Sequence, residues 1–147
     1  MYKKMVVPVD GSETSWRALR QAVELGTKFG GSEIVVLTVI QPYNNAALLA
    51  VPLDHNVISQ SNADMERIGN EVLKQAREIV GTKYAGKVSY EMEVGHPSER
   101  ILAVTKDCGA DAIIIGSRGL SGIAEFFLGS VSSKISQYSN VPVLIVK

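Results

Sequence analysis

Residues 112–119 read Ala-Ile-Ile-Ile-Gly-Ser-Arg-Gly, and nine residues later the chain continues with Gly129 and Ser130. The apolar run at 112–115 predicts a strand buried on both faces, and a helical pattern begins at Val131. Glycine lets backbone N–H groups approach a ligand closely, and the N-terminus of a helix favours anions. A strand, a glycine loop and a helix start in this order predict a phosphate-binding loop.

Polar side chains in this loop support the same interpretation. Serines at 130, 132 and 133 cluster where helix capping and phosphate contact both favour hydroxyls. Arg118 lies inside the loop, where a guanidinium group can bind an anion through two hydrogen bonds. The glycine-lysine-serine sequence of P-loop NTPases does not occur here. The alternative is that the glycines serve only in turns and a helix cap.

The composition predicts one domain over residues 1–147, with an apolar content of 46% that suffices for a buried sheet. Fifteen basic and fifteen acidic residues balance, so no broad attraction to nucleic acid or to an anionic membrane is expected. One cysteine, Cys108, fits a reducing compartment, and neither a signal peptide nor a membrane span is recognisable. A cytoplasmic protein is expected, without a metal cluster or a catalytic triad.

Five β-branched runs predict strands, and the alternation of polar and apolar residues in the third indicates an edge strand or a strand with one face exposed. The runs are Met5–Val9, Ile34–Ile40, Lys87–Val94, Ala112–Ile115 and Val143–Val146. Four helical patterns lie between them: one capped by Ser12, one from Asn62 to Tyr84, one from Pro97 and one near Val131. This alternation predicts an α/β fold with a doubly wound, five-stranded parallel sheet, Rossmann-like or flavodoxin-like. If the first and fourth strands are neighbours at the point where the order reverses, the strand order is 3-2-1-4-5.

A ligand of such a sheet binds outside the carboxyl ends of the strands, where the strand order reverses. Asp10 follows the first strand and Gly116 ends the fourth, so both are expected to face one crevice. Asp10 has the alternative role of a cap before the first helix. The long segment Gln41–Ser61 lacks periodicity and leaves the same edge of the sheet. It is interpreted as a lid or rim, or else as a surface excursion.

Three stretches of the chain resemble the universal stress protein family. They are residues 6–12 (Val-Val-Pro-Val-Asp-Gly-Ser), 95–97 (Gly-His-Pro) and 140–146 (Asn-Val-Pro-Val-Leu-Ile-Val). The loop with Gly116, Gly119, Gly129 and Ser130 is similar to the motif that marks the ATP-binding branch of that family. The resemblance extends over essentially the whole chain.

The resemblance implies a binding site for ATP with Mg²⁺ or Mn²⁺ held mainly through the phosphates. Residues beside the adenosine would be Pro8, Val9 and Asp10, with Val39 or Ile40 as the wall of the adenine pocket. Residues around the ribose and α-phosphate would be Gly116, Ser117, Arg118 and Gly119. Residues at the β- and γ-phosphates would be Gly129, Ser130, Val131 and Ser132.

The resemblance also implies a nucleotide-dependent regulatory module of the stress response that forms a homodimer through Val143–Val146. Two other functions stay open at this point. One is a slow ATPase or autophosphorylating phosphotransferase, for which no general base is recognisable in the sequence. The other is a purely structural or interaction protein whose glycine loop binds nothing.

Overall fold

The computed structural model of the chain describes residues 1–42, 55–119 and 128–147, and for residues 55–60 the backbone alone. Within these residues, strands and helices alternate along the chain. The strands are β1 (Lys4–Pro8), β2 (Glu33–Ile40), β3 (Val88–Val94), β4 (Ala112–Gly116) and β5 (Val143–Val146). The helices are α1 (Glu13–Lys28), α2 (His55–Val80), α3 (Pro97–Asp107) and α4 (Ser130–Tyr138).

The five strands form one parallel sheet in the order β3-β2-β1-β4-β5. The predicted doubly wound fold and its strand order are therefore confirmed, and β3 lies at an edge, as its alternating pattern indicates. The order reverses between β1 and β4, where Met5 pairs with Ala112 and Val6 with Ile113. The carboxyl ends of these two strands consequently lie side by side.

The pleat of the sheet divides its apolar side chains between two cores. Met5 and Val7 of β1 face a core that α1 and α2 cover, whereas Val6 faces a second core under α3 and α4. Side chains on successive residues of a strand point to opposite faces, so a strand covered on both faces needs continuous apolar residues. This explains why four of the five strands lack alternation.

Local signals set most helix ends. The Ser12 side chain accepts a hydrogen bond from the Ser15 N–H at 3.3 Å and so caps α1 as predicted. Pro97 occupies the first turn of α3, where its missing N–H costs nothing. At the end of α2, Gly81 has a φ of +66° and donates its N–H to the Arg77 carbonyl at 3.0 Å, which is typical of a glycine that ends a helix.

The predicted bounds of α2 are wrong at both ends. The helix begins at His55 instead of Asn62 and ends at Val80 instead of Tyr84. Residues 55–61 continue the helix through local backbone hydrogen bonds, which an apolar periodicity does not report. The end of the predicted rim segment is therefore helical, and its residues 43–54 lie outside the described part of the chain.

Candidate functional site

The ends of β1 and β4 bring Asp10 against the glycine loop. Asp10 stands two residues beyond β1, and residues 117–119 follow β4 directly. A Cβ atom added at Gly119 would lie 2.8 Å from the Asp10 Oδ2 atom. Because Gly119 has no side chain, the carboxylate can approach the loop this closely without turning away. The structure thus brings together the carboxylate and the glycine loop that the sequence places at one crevice.

The Asp10 carboxylate has two different surroundings. Its Oδ1 atom accepts the Ser12 N–H at 2.9 Å, which forms a turn just before α1. Its Oδ2 atom faces Gly119, and the side chain as a whole is exposed. Asp10 therefore caps the turn that leads into α1 through its Oδ1 atom, and its Oδ2 atom remains on the open side of the crevice.

The two halves of the glycine motif are joined by hydrogen bonds. The Gly129 N–H donates to the Ser117 carbonyl at 2.7 Å. The Ser132 hydroxyl lies 2.9 Å from that same carbonyl oxygen and 3.1 Å from the Gly129 carbonyl oxygen. Since Ser132 is only 2% exposed, its hydroxyl stabilises the loop from beneath. These bonds place the start of α4 directly beside residues 117–119.

Gly116 is the last residue of β4, and its lack of a side chain has a packing reason. A Cβ atom there would lie 2.7 Å from the backbone carbon of Thr14 and 2.9 Å from the Ser15 nitrogen. The first turn of α1 therefore passes directly over this glycine. The next residue, Ser117, is buried and donates its N–H to the Val146 carbonyl at 2.7 Å, which aligns the loop with β5.

The first turn of α4 offers backbone donors to the crevice. Gly129 is the N-cap residue, with φ −60° and ψ 159°, and no side chain caps the helix. The first i to i−4 hydrogen bond is donated by the Ser133 N–H to the Gly129 carbonyl at 2.9 Å. The N–H groups of residues 130–132 precede that bond, so they lack helical acceptors and carry the positive end of the helix dipole. This arrangement suits an anion.

The end of β2 forms the opposite wall of the crevice. The Leu37 carbonyl accepts the Val9 N–H at 2.8 Å, and the Ile40 carbonyl accepts the Gly95 N–H at 2.9 Å. Backbone groups of successive strand residues point to alternate sides. The N–H and carbonyl of Val39 therefore point to the side of β1, beyond its end, whereas those of Ile40 point to β3. Of the two predicted residues, Val39 presents its backbone to the crevice.

Pro8 and Val9 form the floor beneath Asp10. Pro8 is the last residue of β1, Val9 is 3% exposed, and both are buried. The carboxyl ends of the parallel strands lie at this edge of the sheet, and the chain passes from β1 through Val9 and Asp10 toward α1. Gly11, with a φ of +89°, then turns the backbone into α1. The two residues thus contribute shape, and Asp10 contributes the polar group.

Two groups with shifted pKa values, Tyr84 and Glu33, lie at the amino edge of the sheet, away from the crevice. Burial raises the pKa of Tyr84, whose hydroxyl donates to the Ser32 carbonyl at 2.5 Å. Burial also acts to raise the pKa of Glu33, but hydrogen bonds and charges from Lys87 and Lys4 outweigh it, and the pKa is lowered. These residues stabilise the fold at the edge opposite the candidate site.

Within residues 1–42, 55–119 and 128–147, no group of three or more His, Cys, Asp and Glu side chains could hold a metal ion. In the same part of the chain, no helix is long and apolar enough to cross a membrane. A cavity of about 400 Å³ lies between the C-terminal ends of α3 and α4, and it contains none of the predicted site residues.

One feature of the site is absent from the sequence-based prediction. The hydroxyls of Ser12 and Thr14 both face the Arg118 carbonyl oxygen, across more than a hundred residues of chain. The pattern Ser-Glu-Thr-Ser at 12–15 is a dense run of hydroxyls, of which the sequence predicts a role for Ser12 alone, as the cap of the first helix. A second purpose for those hydroxyls becomes visible only when α1 is placed against the loop.

Known proteins match this chain along its whole length, both in sequence and in three-dimensional structure. The universal stress protein YxiE of Bacillus subtilis is 35% identical over 152 residues, with all of both chains covered. The universal stress protein MJ0577 of Methanocaldococcus jannaschii is 31% identical, covering 100% of this chain and 96% of its own. The solved structure of MJ0577 is similar with a TM-score of 0.84, at 29% identity over 100% of this chain and 96% of that one.

A second similar solved structure contains a bound nucleotide. The universal stress protein from Archaeoglobus fulgidus, in complex with dAMP, is similar with a TM-score of 0.66 and 26% identity. The likeness covers 99% of this chain and 98% of that one. The family model for universal stress proteins matches residues 1–147. With the parallel sheet in the order 3-2-1-4-5 and relatives matched along their full length, this chain belongs to the universal stress protein family.

Proposed function

We propose that this protein binds ATP in the crevice between Asp10 and the glycine loop and acts as a nucleotide-dependent regulatory module. The observation that carries the proposal is the contact of Gly119 with the Asp10 carboxylate, beside the uncapped start of α4. A carboxylate accepts hydrogen bonds from ribose hydroxyls, and helix N–H groups bind phosphate. Groups of both kinds lie at one edge of the sheet, which supports a nucleotide as the ligand.

The adenine would lie against the end of β2. The backbone N–H and carbonyl of Val39 point toward the crevice, where they would pair with the donor and acceptor of the adenine edge. The dAMP bound by the Archaeoglobus fulgidus relative supports an adenine nucleotide as the ligand class. Mg²⁺ or Mn²⁺ would bind through the phosphate oxygens, since such ions often have few protein ligands in nucleotide sites.

The groups that converge on the crevice are suited to binding and retaining ATP and less suited to hydrolysing it. These groups are backbone N–H donors, loop hydroxyls and a carboxylate that already holds the turn before α1. Phosphoryl transfer also needs a positioned nucleophile. We therefore propose that ATP signals through occupancy. A slow ATPase or an autophosphorylating protein would instead release ADP or carry phosphate on a serine such as Ser130.

The first experiment identifies nucleotide carried by the freshly purified protein. The protein is denatured, and the released nucleotide is identified by chromatography and mass spectrometry. We expect ATP at about one per chain, because a retentive site copurifies with its ligand. If no nucleotide is released, a calorimetric titration with ATP and Mg²⁺ decides, and absence of any heat or thermal shift would contradict the proposal.

Two substitutions at Ser130 separate its hydroxyl from its backbone N–H. Proline suits the first position of a helix and needs an extended residue before it, and Gly129 already has φ −60° and ψ 159°. S130P therefore removes the N–H without breaking α4, whereas S130A removes the hydroxyl alone. If the helix N-terminus holds phosphate, S130P should bind ATP about tenfold more weakly than S130A, as expected for a lost hydrogen bond to a charged group. Equal affinities would refute phosphate binding at this N–H.

We also propose a homodimer through β5. This strand is at the edge of the sheet, and all four of its residues are partly exposed. The carbonyls of Pro142 and Val146 pair with β4, so the backbone groups of Val143 and Ile145 point outward. Sedimentation should find a dimer in the wild type and a monomer in I145P, because proline removes an outward N–H that an edge strand tolerates losing. A dimeric I145P, or a monomeric wild type, would exclude this interface.

A further inference from the structure

The first turn of α1 holds the glycine loop through one carbonyl group. The Thr14 Oγ1 atom donates a hydrogen bond to the Arg118 carbonyl oxygen, and the Ser12 Oγ atom lies 3.5 Å from the same oxygen. The two hydroxyls are themselves 3.5 Å apart. Ser12 is buried and Thr14 partly buried, so these contacts lie away from bulk water. We call this pair of hydroxyls the α1 clamp.

The α1 clamp determines the orientation of the next peptide group. A trans peptide is planar, and its carbonyl and N–H point to opposite sides. Because the Arg118 carbonyl is held against α1, the N–H of Gly119 must point away from α1. On its other side the loop touches the start of α4, since a Cβ atom at Gly129 would lie 3.4 Å from the Arg118 Cα atom. The loop is therefore held between two helix N-termini.

We infer that Ser12 and Thr14 are positioning residues for phosphate, which present the Gly119 N–H to the phosphate chain of the bound nucleotide. This inference rests on the proposed function, because it concerns the same crevice. Without the clamp, the peptide between Arg118 and Gly119 is free to rotate, and its carbonyl oxygen can turn toward the ligand. A carbonyl oxygen repels phosphate, so the clamp matters for the phosphates and much less for the nucleoside.

The test compares ATP with adenosine, which lacks phosphate. T14V has nearly the shape of threonine but no hydroxyl, and T14S restores the hydroxyl. We expect T14V to weaken ATP binding about tenfold, as for a lost contact with a charged group, and to leave adenosine affinity within about twofold. T14S should bind both like the wild type. The matched control is T27V on the same helix, where the hydroxyl donates to the Val23 carbonyl at 2.8 Å, and it should change neither affinity.

The outcomes separate this inference from the proposed function. If the wild type binds no ATP, the proposed function fails. If the wild type binds ATP and T14V loses affinity for ATP and adenosine equally, or for neither, the clamp does not position the phosphate site and the inference is overturned.

A second measurement uses the wild type and so does not depend on how T14V folds. The amide resonance of Gly119 is followed by NMR while ATP or adenosine is added. We expect a downfield proton shift with ATP that adenosine does not produce, since a phosphate oxygen would accept that N–H. A Gly119 resonance that responds equally to both ligands, or to neither, would overturn the inference.

Discussion

Replacing Gly116 by alanine should destabilise the fold, because the new methyl group would collide with backbone atoms. Its Cβ atom would lie 2.7 Å from the Thr14 carbon and 2.9 Å from the Ser15 nitrogen, well inside ordinary contact. Overpacking of this kind lowers the free energy of unfolding by about 1–3 kcal/mol. Alanine also has less conformational entropy than glycine in the unfolded chain, which raises the free energy of unfolding by about 0.4–1 kcal/mol. The net loss in the free energy of unfolding should be about 1–2 kcal/mol.

The matched control is alanine at Gly119. The same methyl group there meets the Asp10 Oδ2 atom at 2.8 Å, but that atom is the end of a side chain that is exposed and can turn. Neither glycine has a positive φ, so backbone strain does not distinguish the two variants. G119A should therefore unfold within about 0.5 kcal/mol of the wild type, as is usual for surface positions. Its effect should instead be on nucleotide binding, through the displaced carboxylate.

Urea unfolding followed by tryptophan fluorescence measures both variants. Trp16 is the single tryptophan and is 8% exposed, so its emission reports loss of the core under α1. With a urea slope of about 2 kcal/mol per molar, the midpoint of G116A should fall by about 0.5–1 M. A G116A midpoint equal to that of the wild type would refute the packing reason for this glycine. A G119A midpoint as low as that of G116A would refute the distinction between backbone and side-chain collisions.

Three further predictions concern the amino edge of the sheet. Y84F removes the hydrogen bond to the Ser32 carbonyl and should lower the free energy of unfolding by about 1 kcal/mol in a urea titration. The Ser32 hydroxyl is buried without a partner among the described residues, so S32A should match or exceed wild-type stability in the same titration. Lys87 and Lys4 lower the pKa of Glu33 in the folded protein below its value in the unfolded chain. The ionised Glu33 side chain therefore adds to the free energy of unfolding at any pH above its unfolded pKa, and this contribution is lost as the pH falls through its folded pKa. Wild type and E33Q should thus differ in urea midpoint near neutral pH and converge in acid; a constant difference would contradict this.

Much of the candidate site follows from linear order alone. A parallel doubly wound sheet puts the carboxyl ends of neighbouring strands together, so Asp10 after β1 and Gly119 after β4 had to meet once their strands were adjacent. The helix start near Val131 likewise follows from a local apolar period. These features are predictable because each depends on short-range pattern plus one topological rule.

The bounds of α2 show where this reasoning ends. The helical pattern predicts a start at Asn62, yet the backbone is helical from His55. Helical hydrogen bonds are local and do not require an apolar face. Apolar periodicity therefore identifies this helix but not its ends, because the start continues through local backbone hydrogen bonds and the end is set by the glycine at position 81.

The alternation of strands and helices, the position of the glycine motif and membership of the family all follow from the linear sequence. The contacts of the individual site groups depend instead on how the elements pack. Gly116 admits the first turn of α1, the Ser132 hydroxyl supports the loop, and Thr14 holds the Arg118 carbonyl. The apolar pattern of the sequence indicates which face of a helix or strand is buried. The hydrogen-bond partner of a polar group, however, must lie within about 3 Å of it. Which distant segment lies that close is set only when the helices and strands pack together.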